Sequence, residues 1–121
     1  MTFSLAAASR ALGGLAPQPH PVTKIVASLN FFMYVVSLLA TFSATQHISM
    51  MGGVDGSVLY RLGSRETLAL LLQNQWWRLV MPIFLHANLL HIGMNTLVLF
   101  DMGPALEELY CSSRYLFLYV A

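Results

Sequence analysis

His91 and Asn95 stand four residues apart in an apolar stretch, so on an α-helix they are offset by only about 40° and share a face. Asn88 extends the same stripe one turn earlier. An imidazole and a carboxamide stacked in this way present N–H donors to one spot. In a water-poor interior such donors suit an oxyanion, because charge developing in a low dielectric is stabilised more than in water. The same pair would also serve as a buried hydrogen-bonding link between two helices, and spacing alone favours that use. His86 and His91 are five apart, about 140° around a helix, and would share a metal ion only if His86 preceded the helix. The nearest carboxylate, Asp101, is distant, and a haem held between two spans would need a histidine that the first span lacks. No metal and no cofactor is therefore expected. Ser64, Ser112 and Ser113 do not lie in a span beside a histidine, and there is neither a Gly-x-Ser-x-Gly elbow nor a Ser-x-x-Lys pair. By themselves these residues bind an anion and have nothing to attack with.

Composition says what must position them. The 121 residues are 57% hydrophobic and 9% charged, against about 25% charged in soluble domains. A net charge of +1 without a basic run excludes counterion-driven nucleic-acid binding. One cysteine, Cys111, excludes a disulfide framework. The class that remains is an all-α membrane protein. Residues 1–24, rich in Ala, Gly and Pro, read as a flexible tail. Ile25–Ala44 is uncharged over a length that crosses a hydrocarbon core of about 30 Å, and Asn30, Tyr34, Ser37, Thr41 and Ala44 form a small, polar packing stripe along it.

A loop over about 46–78 follows, in which the apolar stretch ending at Trp76 and Trp77 reads as a short helix lying in the membrane interface. A second span is expected over about 79–102, with Pro82 near its start and Gly103-Pro104 stopping it. A third begins at about 114 and reaches only a third of the way across by Ala121. Arg10, Lys24 and Arg114 on one side balance Arg61, Arg65 and Arg78 on the other, so charge does not set the orientation.

Trp77-Arg78, His86, His91-x-x-x-Asn95, Gly103 and Glu107, preceded by the LYRLGS run from Leu59, resemble the first half of a rhomboid intramembrane serine protease. The resemblance covers about Leu59 to Tyr119 and implies the N-terminal two-plus-partial helices of a six-helix bundle, with a cytosolic N-terminus and an interfacial first loop. It implies that His91 and Asn95 help form the oxyanion hole. Arg78 and Glu107 are then structural, Trp77 lies in the loop, and His86 organises the network. The implied substrates are transmembrane proteins within a lipid bilayer. The nucleophilic Ser and the base His of the family fall beyond Ala121, so the chain by itself is expected to be inactive. A different class of reading is a non-catalytic membrane hairpin acting through helix packing. Cys111 stands where the family usually has glycine, which suggests tight packing or a positive φ that a cysteine side chain would strain.

Overall fold

The computed structural model describes residues 20–121; most of the expected tail lies outside the described residues. The first helix, α1, spans Pro21–Thr45 and so starts four residues before the expected Ile25. Its N-terminus explains why. Pro21 at the first helical position has no N–H to satisfy and a preset φ. The next two amides, of Val22 and Thr23, donate to the Glu107 carboxylate at 3.0 and 2.9 Å, and the Lys24 amide reaches the His20 carbonyl at 3.3 Å. Every free donor of the first turn is thereby used. At the other end Gln46 takes a left-handed conformation and returns its N–H to the Phe42 carbonyl.

The stripe foreseen on α1 is the buried one. Asn30, Tyr34, Ser37 and Thr41 are covered together with Val22, Thr23 and Val26, while Ala44 is exposed. Ile25, Phe31, Phe32 and Leu39 on the remaining faces are more than 60% exposed, as lipid-facing residues are.

After α1 the chain makes a turn in which the Tyr34 hydroxyl donates to the Gly52 carbonyl at 2.7 Å. Gly52 has φ +61°, and a Cβ there would strike that hydroxyl. Val54 and Leu89 then pair through their amides with the carbonyls of Ala87 and Met51, which fastens the loop to the start of the second span. Asp55 caps α2, Gly56–Leu62, by accepting from the Ser57 amide, and Gly63, at φ +101°, ends it. In the stretch expected to form an interfacial helix ending at Trp76 and Trp77, the helix α3 covers only Thr67–Leu72, with Leu68, Leu71 and Leu72 exposed. Two 3-10 turns follow, Trp76–Leu79 and Met81–Ile83.

The second span departs from expectation at both ends. It does not begin at Leu79: Pro82 sits in a 3-10 turn, and the long helix α4 covers Leu89–Val120, behind an N-cap made by Asn88. An Asn side chain able to take an orphan amide sets the helix start more firmly than apolar composition does. Nor do Gly103 and Pro104 stop it. Both lie inside α4, and the break comes at Cys111, with φ 61° and ψ 153°. Proline removes one hydrogen bond, but this part of the helix is held on α1 through Gly103 and Glu107. Past Cys111 the chain turns back, so that Tyr115 joins Val22, Val26 and Leu99 in one apolar cluster and the Tyr119 hydroxyl accepts from Asn30 Nδ2 at 3.0 Å.

Gly103 is where α1 comes closest. A Cβ there would lie 2.8–3.0 Å from the Thr23 side chain and the Tyr115 hydroxyl. Gly103→Ala should therefore lower the unfolding midpoint by an equivalent of about 1–3 kcal/mol. Cys111→Gly should raise it. Relief of a conformation that favours glycine contributes about 1–3 kcal/mol, less about 0.4–1 kcal/mol for the extra freedom of the unfolded chain. Thermal unfolding in detergent, followed by helical circular dichroism, reads both, and an unchanged midpoint in Cys111→Gly would show that no strain is stored at the turn.

Candidate functional site

The residues singled out by type and spacing fall in three places. His86, His91 and Asn95 meet at the start of α4, Arg78 holds the loop, and Gly103 and Glu107 lie further along α4, with Glu107 about 18 Å from Asn95 by helical rise.

At the start of α4, Asn88 Oδ1 accepts from the His91 amide at 2.9 Å. Asn88 is the extended N-cap of α4, outside the helical face that His91 and Asn95 share, and its oxygen caps the helix. His86 lies before the helix and is 1% exposed. Its Nδ1 is 3.2 Å from the Phe84 carbonyl, and its Nε2 is 3.1 Å from Asn95 Nδ2. The Phe84 carbonyl only accepts, so Nδ1 carries the proton. Nε2 is then a free lone pair, and the Asn95 amide donates to it. The His91 ring packs edge-on against His86 with centroids 5.2 Å apart. His91 and Asn95 thus share a face, as their spacing requires, and they converge on a third residue that spacing did not connect to them.

Both side chains are exposed among the described residues, so the shared spot is open rather than dry. Asn95 lines a cleft of about 440 Å³ together with Ile83, Val98, Leu99, Met102 and, from the returning segment, Tyr119.

Arg78 is 4% exposed. Its Nη1 donates to the carbonyls of Tyr60 and Ser64 at 2.9 and 2.8 Å, its Nε donates to Gln75 Oε1, and its guanidinium lies 4.4 Å above the Tyr60 ring. One side chain therefore ties the end of α2 to the turn before the second span. Its neighbour Trp77 is half exposed and borders Gly63. Glu107, 4% exposed, accepts from the amides of Val22 and Thr23, from Thr23 Oγ1 at 2.9 Å and from Ser112 Oγ at 2.7 Å.

Sequence reasoning did not find Thr23, Gln75 or Ser112 as partners. Thr23 and Glu107 are 84 positions apart, and no local pattern joins them. Asn88, directly ahead of an apolar run, does carry a helix-start signal.

Burial holds the His86 imidazole below its ordinary value of 6.5, assisted by His91 and opposed by the Phe84 carbonyl. The unfolded chain therefore binds more protons than the folded one just below pH 6.5, so stability falls as the pH drops through that window. Unfolding midpoints measured between pH 7.5 and about 5 should decline, and His86→Phe should flatten the decline. An equal slope in that variant would remove His86 as its source.

Residues 73–121 match the Rhomboid domain. The chain is 40% identical over 70 residues to the rhomboid protease GluP of Bacillus subtilis, covering 58% of this chain and 14% of that protein. It is 30% identical over 102 residues to the chloroplastic RHOMBOID-like protein 9 of Arabidopsis thaliana, covering 77% and 22%. It is also 30% identical over 92 residues to the rhomboid-like protease 2 of Toxoplasma gondii, covering 71% and 29%. The chain thus spans less than a third of the length of these relatives. No solved structure matches it significantly. Among the described residues two helices are long and apolar enough to cross a membrane, and only 28% and 17% of their apolar windows are buried within the chain. This is an integral membrane protein. Its all-helical fold, its membrane-spanning helices and the matched domain together place the chain in the rhomboid family, of whose domain it carries a part.

Proposed function

We propose that this chain supplies the oxyanion-binding part of an intramembrane serine endopeptidase that cleaves transmembrane substrates, and that the nucleophilic serine and the base histidine come from further helices of the same fold. The observation that carries this reading is the convergence of His91 and Asn95 on buried His86, with Asn95 at the edge of an open cleft. Donors held on a helix and backed by a fixed ring are preorganised, so they reorient little when charge develops on a carbonyl oxygen.

In this reading the serine attacks the scissile carbonyl while the base takes its proton, and the oxygen that becomes negative is met by N–H groups of Asn95 and His91. The neutral, Nδ1-protonated state of His86 directs one Asn95 N–H into the ring, and the second remains for the substrate. Arg78, Trp77, Gly103 and Glu107 take structural roles, holding the loop and the helix crossing that present the cleft. The names of the relatives, among them rhomboid proteases of a bacterium and a protozoan, agree with peptide-bond hydrolysis.

An oxyanion donor acts mainly in the transition state. In the full-length protein, Asn95→Ala should lower kcat by about 10²–10³-fold and leave KM within about twofold, read with a fluorogenic transmembrane substrate in proteoliposomes. Unchanged turnover would return Asn95 to a helix-packing role and favour the non-catalytic hairpin.

A further inference from the structure

We infer that His86 is a positioning residue that sets which way the Asn95 carboxamide points. The inference rests on the oxyanion reading of Asn95 and adds the group that aims it. A carboxamide on an exposed helix face has a broad terminal torsion, and half a turn of that torsion exchanges an N–H donor for a carbonyl acceptor. An acceptor facing an oxyanion would repel it, so the side chain is useful in one orientation only.

His86 Nε2 makes the choice. It is 3.1 Å from Asn95 Nδ2 and, with the proton on Nδ1, it only accepts. It therefore selects the NH₂ edge of the carboxamide and excludes the oxygen. The second N–H of that group lies in the same plane and is left for another acceptor.

The ring is itself immobilised on three sides. Nδ1–H is held by the Phe84 carbonyl at 3.2 Å, the His91 ring abuts it with centroids 5.2 Å apart, and His86 is only 1% exposed. Each ring nitrogen has one partner of the required polarity, Nδ1 with the Phe84 carbonyl and Nε2 with the Asn95 amide. The link also joins the irregular segment before α4 to the helix itself, nine residues on, so any shift of that segment is passed to Asn95.

The test uses the full-length protein. Its ¹⁵N-histidine spectrum should contain one neutral imidazole protonated at Nδ1, absent in His86→Gln, whose Nε2 resonance moves in Asn95→Ala. An Nε2-protonated His86, or a resonance indifferent to Asn95, overturns the assignment whatever the activity. Kinetically, His86→Phe keeps the volume and removes the acceptor. It should lower kcat by about 10–100-fold with KM within about twofold, and His86→Gln, whose amide oxygen accepts, should recover much of the loss. The double variant His86→Phe/Asn95→Ala should be no slower than Asn95→Ala alone, because the two act as a unit. Losses that multiply overturn the inference. Should Asn95→Ala leave turnover untouched, the oxyanion reading fails by itself, and the imidazole spectrum still decides whether His86 holds the carboxamide. Should His86→Phe not fold, the spectrum and His86→Gln decide in its place.

Discussion

One buried carboxylate sets the frame of this protein. Taking Glu107 out of water costs several kcal/mol, and its four hydrogen bonds offset that cost only in one arrangement of the chain. Two of the four come from the first free amides of α1, where the aligned peptide dipoles also favour an anion. The others come from Thr23 Oγ1 and from Ser112 Oγ just past the break. A single side chain thus fixes where α1 starts, where it crosses α4, and how the returning segment leaves Cys111. Gly103, one turn earlier on the same face, makes the approach possible because it has no side chain to meet Thr23.

Loop and helix face are secured by separate devices. Arg78 collects carbonyls from the end of α2 and its following turn and is covered by Tyr60. Backbone pairs between Met51–Val54 and Ala87–Leu89 join the beginning of the loop to the beginning of α4. The segment carrying His86 is held between them, which lets an irregular stretch place a ring against Asn95. In the oxyanion reading proposed for His91 and Asn95, donors gain most when they do not have to move. The setting of His86 against Asn95 comes from the loop contacts as much as from the helix that bears Asn95.

The departure at Cys111 shows the same frame from another side. Its φ of 61° and ψ of 153° favour glycine, yet the turn forms with cysteine. The apolar cluster around Tyr115 and the hydrogen bonds to Glu107 and Asn30 all require the chain to reverse there. Tertiary contacts of this number override one unfavourable residue.

Amino-acid order alone determined the apolar spans, because uncharged stretches of that length have no other solvent. It also determined the buried stripe of α1, which follows from helical period, and the shared face of His91 and Asn95, which follows from a spacing of four. Its signals ran short at element ends. Leu79 and Pro82 look like a helix entry, but the cap at Asn88 decided it; Gly103-Pro104 looks like an exit, but packing against α1 carried the helix through. Three-dimensional structure alone decided that Glu107 caps α1 and that His86 links His91 to Asn95. Those partners are 84 and nine positions apart. A hydrogen bond across either gap depends on where the folded backbone puts its two ends, which no local periodicity encodes.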